Sequence, residues 1–145
     1  MPAREMTFRF PATLHYLTPL RLAVEAFCTD VLESDSHSEQ VYQLQLAVSE
    51  LATNIVNYAY RDAAPGAVDV RATSADSAVT LDFFDTGAAF TPTREPTLPD
   101  LELLAEGGYG SFIIQQCVDR VTYSREDNTR NHWRLEKQFG KRGGD

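Results

Sequence analysis

Cysteine is scarce. The 145-residue chain has two, Cys28 and Cys117, each set in an apolar helical pattern with no CxxC and no nearby histidine. That excludes a disulfide framework and a thiolate metal site, and leaves buried reduced thiols. Long apolar runs are missing too. None approaches the ~20 residues of a membrane span, and MPAREMTFRF lacks the apolar stretch of a signal peptide. The expectation is a cytoplasmic protein with no membrane partner. Basic clusters are also absent. The net charge is −8, with the acid excess spread along the chain, whereas a direct nucleic-acid footprint needs clustered Lys and Arg. A nucleotide held by backbone amides and a metal stays open. No GK[ST] follows a glycine loop, and no strand leads directly into one, so neither a Walker loop nor a Rossmann fingerprint is present.

What is present is enough chain for one domain. At this length folding buries roughly 70% of the unfolded surface, which supports a core without staples. No repeat, low-complexity tract or linker divides residues 1–145. TFRF (7–10) alternates like a strand. Thr18-Pro19 predicts a helix start, with Thr18 as N-cap, and Leu22, Val24, Phe27, Val31 and Leu32 carry that helix to about 33. Ser36 and Glu39 have capping-box spacing for a second helix reaching about Tyr60. Val68, Val70 and Ala72, then Val79, Leu81 and Phe83, form two alternating runs joined by TSADS, a hairpin. Residues 88–107 hold three prolines and run into Gly107-Gly108; a connection that long is functional or mobile more often than inert. Ile114, Cys117, Val118 and Val121 have helical spacing. Val121 and Tyr123, then Trp133, Leu135, Lys137 and Phe139, alternate as a last hairpin. The fold class is α/β (α+β): a two-layer sandwich, its antiparallel-rich mixed sheet covered on one face by three helices.

Three constellations carry chemistry. In LAVSELATNIVNYAY (46–60) two asparagines and a glutamate interrupt an apolar helix. At roughly 100° per residue, with Glu50 at zero, Asn54 falls near 40° and Asn57 near −20°. Leu44, Val48, Leu51 and Ile55 fall between about 100° and 160°, facing the core. A carboxylate–amide stripe therefore runs beside the apolar one, at the rim of the layer interface. Asn54 offers a neutral oxygen to a hard cation such as Mg²⁺, and Glu50 can orient or deprotonate an attacking hydroxyl. A solvated helix face explains the same spacing. In FFDTGAAF (83–90) a strand ends in Asp85, with Gly87 at the turn. A carboxylate there can accept a hydrogen bond from an exocyclic amine, and glycine lets the backbone approach a ring; an ordinary turn fits equally. In EGGYGSFIIQQCVD (106–119), Gly107, Gly108 and Gly110 open an amphipathic helix whose amides suit an anion, or simply form a flexible entry.

The order of these motifs is more specific than any one of them. E-x-x-x-N on a helix, strand-D-x-G, a long loop, then G-x-G opening a helix followed by V-D-x-V occur within about 70 residues. From TFRFPATLHYL through NHWRLEKQF the chain resembles the GHKL (Bergerat-fold) ATPases. "GGYGSFIIQQCVDRVTYS" and the small size resemble the bacterial anti-sigma-factor serine/threonine kinases. The resemblance implies a Bergerat ATP-binding fold, with ATP and Mg²⁺ as cofactors. It implies Glu50 as general base, Asn54 on Mg²⁺, and Asn57 as a further ATP contact. It implies Asp85 on the adenine amino group with Gly87 beside it, an ATP lid at about 88–107, and Gly108 and Gly110 on the phosphates. It implies phosphoryl transfer to a serine of a STAS-domain anti-sigma-factor antagonist, sequestration of a sigma factor by a homodimer, and so transcription regulation without direct nucleic-acid contact. Ser111 stands where relatives carry an apolar residue. REDNTRN lacks the glycine often seen there, and Thr129 is open as a nucleotide contact but not assigned as one. No lysine lies in the motifs, so charge neutralisation falls to Mg²⁺, backbone amides, or an arginine such as Arg94 in the lid. A different class fits the same residues: a non-catalytic ATP-binding module that switches protein partners. A histidine kinase fits poorly, since no dimerising hairpin with a phospho-accepting histidine precedes the motifs; His15, His37 and His132 read as incidental.

Overall fold

A computed structural model describes residues 1–32, 35–60, 66–90 and 108–139, with backbone alone at 35 and 108–111. The elements in chain order are β1 (Arg4–Pro11), α1 (Leu17–Val31), α2 (Ser38–Asn54), β2 (Ala67–Ala75), β3 (Ala78–Asp85), α3 (Gly108–Cys117), β4 (Arg120–Glu126) and β5 (Arg130–Gln138). The sheet order is β1-β2-β3-β5-β4. The predicted two-layer sandwich is what forms, with one refinement: every described ladder is antiparallel. Opposed residues in such a ladder share a face. Val68, Val70 and Ala72 of β2, with Val79, Leu81 and Phe83 of β3, are all buried against the helices. β3 is the central strand, and Asp85 at its end opposes Asn131 of β5.

The apolar stripe of α2 (Leu44, Ala47, Val48, Leu51) is fully buried, and α2 packs between α1 and α3. Burying each such side chain stabilises the fold by roughly 1.5–3 kcal/mol. Lys137 joins the layers: its buried Nζ donates to Cys117 O at 2.7 Å and Gln43 Oε1 at 2.8 Å, a cation at the carbonyl end of α3 where the helix dipole favours it. Both thiols are free and buried. Burial, with Glu25 nearby, pushes the Cys28 thiol up to about 12.

Several predicted details move. Thr18 is not the N-cap. A 3₁₀ turn at Leu14–Tyr16 runs straight into α1, so the cap is Tyr16 and Thr18 lies in the first turn. Pro19 is tolerated there because the first four N–H groups have no intrahelical partner. Leu22 is 58% exposed and Leu20 takes its place in the core, since Leu22 lies about 160° round from Val24 and Leu20 about 40°. A second 3₁₀ turn, Asp35–His37, absorbs Ser36 and makes His37 the cap of α2. TSADS shrinks to the two residues Asp76 and Ser77, with Asp76 at φ 57°. Val121 belongs to β4, not to the helix before it. The β4–β5 turn manages without glycine because Asp127 and Asn128 take φ 53° and 58°, which their short polar side chains tolerate. Among the described residues, no helix is long and apolar enough to cross a membrane.

Candidate functional site

α2 does not stay α-helical to Tyr60. Residues Ile55–Ala59 form a π-turn, a rare widening that occurs often at functional sites. More residues per turn means each advances less than 100°, so positions beyond Asn54 fall behind an ideal helix. Asn57 is thereby rotated out to solvent, while Tyr58 comes round to line a cleft with Asn54 and Ala59. The opposite wall is Ala88, Phe90, Asn131 and Trp133. Asn57, expected on one face with Asn54 and Glu50, is exposed and does not line the cleft. Glu50 is half-buried one turn before Asn54, on the side of α2 where its charge acts on the Cys117 thiol of α3; it does not line the cleft.

Gly87 is required for a reason the sequence did not suggest. A Cβ there would sit 2.4 Å from Ala59 O and 2.7 Å from Ala59 Cβ. The next residue closes the contact, Ala88 N–H donating to Ala59 O at 2.8 Å. The missing side chain makes room for the π-turn, so the strand end and the helix end form one structure. Tyr60 adds to it: its hydroxyl accepts the Thr86 N–H and donates to Ala67 O.

Asp85 is 2% exposed. Its Oδ1 accepts from Gly87 N–H at 2.9 Å and from Asn131 Nδ2 at 2.8 Å. Its Oδ2, equally buried, has no partner. An unmet buried acceptor costs about 1–3 kcal/mol and calls for an explanation such as a ligand. Burial pushes the Asp85 carboxyl above its ordinary range; the Asn131 and Gly87 hydrogen bonds and the Arg125 charge pull the other way.

Asn131 is the hub, and sequence reasoning missed it. Its Nδ2 also donates to Ala88 O at 2.9 Å, and its Oδ1 accepts from Tyr123 Oη at 2.5 Å and Arg125 Nη1 at 2.8 Å. Tyr123 Oη in turn accepts the Phe90 N–H, and Arg125 donates to Gly87 O. The rings of Phe90, Tyr123 and Trp133 pack with centroids 4.7–5.6 Å apart. A signal was available: Asn131 is in phase with Trp133 and Leu135, a polar residue at an apolar position of an alternating strand.

The chain matches the family described as "Histidine kinase-like ATPase domain" over residues 10–137. The chain belongs to the histidine kinase-like ATPase family. Within it, this domain is similar to the serine-protein kinase RsbW of Oceanobacillus iheyensis, 31% identical over 96 residues, covering 61% of this chain and 60% of that protein. The RsbW of Staphylococcus epidermidis is 26% identical over 126 residues, covering 81% and 77%. The fold also matches the crystal structure of the RsbU and RsbW domains of Rv1364c from Mycobacterium tuberculosis. That match has TM-score 0.68 and 15% identity, over 97% of this chain and 34% of the other. These likenesses bear out the GHKL anti-sigma-factor kinase resemblance.

Of the other expected site residues, Gly108 and Gly110 lie in the first turn of α3, as the helix-opening glycines were read. Gly107, Arg94 and the lid beyond residue 90 lie outside the described residues. Thr129 sits in the β4–β5 turn, its hydroxyl and N–H both directed to Glu126 O. His132, read as incidental, is built into the outer sheet face, with Nε2 at 2.6 Å from Asp82 Oδ1 and its ring stacked on Phe84. Among the described residues, no group of three His, Cys, Asp or Glu side chains converges on a metal position.

Proposed function

We propose that this domain is an ATP-dependent protein serine kinase and anti-sigma factor, acting in the cytoplasm as a homodimer. Its phosphoryl acceptor would be a serine of a STAS-domain antagonist, and the unphosphorylated antagonist would compete with a sigma factor for the kinase. Family membership supports ATP use, and the RsbW relatives are named serine-protein kinases. The observation that carries the nucleotide site is Asp85 Oδ2, a buried acceptor with no donor, on a residue whose partner Asn131 lines the cleft with Phe90 and Trp133. The 6-amino group of adenine supplies that donor.

The residue types fit a magnesium nucleotide. Mg²⁺ is commonly held by one or two protein oxygens plus substrate phosphates and water, without an all-protein cage. The absence of a carboxylate cluster among the described residues agrees with that, and Asn54 on the cleft rim offers the oxygen. Bound there, the metal would neutralise charge on the phosphates. Asp85 would orient the base, and the amides at Gly108 and Gly110 would meet the phosphates at the start of α3. Glu50 would take the serine proton as the hydroxyl oxygen bonds to the γ-phosphorus and the bond to the bridging oxygen breaks, releasing ADP.

The test is Glu50→Ala with labelled ATP and a STAS protein carrying the acceptor serine. The expected result is ATP binding retained and transfer reduced by about 10²-fold or more. Unchanged transfer would remove Glu50 from the chemistry. Tight ATP binding by the wild-type domain with no transfer to a STAS protein would favour the non-catalytic switching module.

A further inference from the structure

Asn131 sits in a hydrogen-bond network whose direction is fixed. Arg125 can only donate, so the Asn131 oxygen must face it. Tyr123 Oη receives the Phe90 N–H, which leaves its own proton for the same oxygen. Nδ2 is then turned to three acceptors: Asp85 Oδ1, Gly87 O and Ala88 O. Flipping the amide would set donor against donor at Arg125 and acceptor against acceptor at both carbonyls. Asp85 Oδ1 is accordingly filled by two donors, from Asn131 and Gly87.

A proton arriving on this carboxyl therefore has one place to go, Oδ2. Ionised, Oδ2 is an acceptor and matches a purine bearing an amino group at position 6. Protonated, it becomes a donor and matches a purine bearing a carbonyl there. The charged and titratable groups around Asp85 are Arg125 and Tyr123 of β4 and, from the end of the π-turn, Tyr60. Asn131 links the β4 pair to Asp85.

We propose that Asn131, braced by Tyr123 and Arg125, is the specificity-determining residue of the base site: it holds Asp85 Oδ2 as an acceptor, so the site takes a 6-amino purine and rejects a 6-oxo one. The assignment rests on the ATP-site reading. Asn131 acts through Asp85, as a positioning residue. The same hydroxyl of Tyr123 ties the network to the backbone at Phe90.

The experiment measures binding of ATP and of inosine triphosphate, its 6-oxo counterpart, between pH 5.5 and 8.5, for the wild-type chain, Asn131→Leu and Tyr123→Phe. Wild type is expected to prefer ATP by roughly a hundredfold at neutral pH, the worth of one charge-assisted hydrogen bond. In Asn131→Leu the preference narrows at least about tenfold, and narrows further at the acid end as Oδ2 gains its proton. Tyr123→Phe shifts the ratio the same way by about two- to threefold, and carries the test if Asn131→Leu does not fold. A ratio unmoved in the folded variants, or equal weakening of both nucleotides at every pH, would reduce Asn131 to a structural residue and overturn the assignment. Wild-type chain that binds neither nucleotide would instead remove the ATP-site reading itself.

Discussion

β3 carries two buried aspartates three residues apart, and they face opposite ways. Asp82 points to the solvent side of the sheet and is 1% exposed. Arg134 Nε and His132 Nε2 reach its Oδ1 at 2.7 and 2.6 Å, and Arg71 lies 3.7 Å from its Oδ2. Burial pushes its carboxyl up, but the hydrogen bonds and charges of Arg134 and His132 outweigh this and hold it below the ordinary range. Asp85 points to the helical side, and its network serves one oxygen twice and the other not at all. The balance there goes the other way, and its carboxyl is held high. Burial alone separates neither residue from the other. What separates them is that each Asp82 oxygen faces a guanidinium, Arg134 at Oδ1 and Arg71 at Oδ2, whereas Asp85 Oδ2 has no partner. A buried carboxylate with a cation at each oxygen is accounted for by the fold, whereas Asp85 Oδ2 is the unmet acceptor on which the proposed nucleotide site rests.

The comparison can be broken at either end. Asp85→Asn removes the acceptor charge and places an amide donor or a poorer acceptor at the base position. ATP affinity should fall about a hundredfold by titration calorimetry, with the melting temperature little changed. If affinity is unaltered, Asp85 is structural like its neighbour. Asp82→Asn should do the reverse: about 2 kcal/mol lost in denaturant unfolding, from weakened charge-assisted bonds to Arg134 and His132, with ATP affinity intact. Loss of affinity there would mean the two faces are coupled. Gly87→Ala drives a Cβ into the Ala59 carbonyl and should cost about 1–3 kcal/mol, with ATP binding weakened as the π-turn is displaced. The smallest effect is in pH. Asp82 has a lowered folded pKa, so its stabilisation is complete above the ordinary 3.8 and is lost as pH falls through the folded value. Asp85 has a raised one, so its protonated form favours folding, and stability declines as pH rises through the folded value. Acid unfolding curves of Asp82→Asn and Asp85→Asn should therefore depart from wild type in opposite directions.

Much of the fold was legible because alternation and helical spacing are local. Val68 to Ala72 and Val79 to Phe83 declared two strands with one shared buried face, and Leu44 to Ile55 declared the buried stripe of α2. The helix starts were less legible. Thr18 and Ser36 have the side chains of caps, but 3₁₀ turns run into both helices and move the boundary by a residue or two, a common ambiguity at helix ends. For the candidate site, spacing and motif order singled out Asn54, which lines the cleft, and Asp85, whose Oδ2 is unmet. Asn57 is exposed and off the cleft, and nothing in IVNYA distinguishes a π-turn from the α-helix that an angular count assumes.

By itself, the sequence determined an α/β fold, an antiparallel-rich sheet with helices on one face, and membership of an ATPase family by the order of its motifs. These follow from periodicity, turn chemistry and residue identity along the chain. Only the tertiary structure decided that Asp82 has a cation at each oxygen while Asp85 Oδ2 has no partner, that Gly87 makes room for Ala59, and that Asn131, Tyr123 and Arg125 stand behind Asp85. Each depends on which strand lies beside which and in what register. Hydrogen bonds between residues 46 apart, such as Asn131 to Asp85, are created by the pairing of β3 with β5, and no local pattern encodes them.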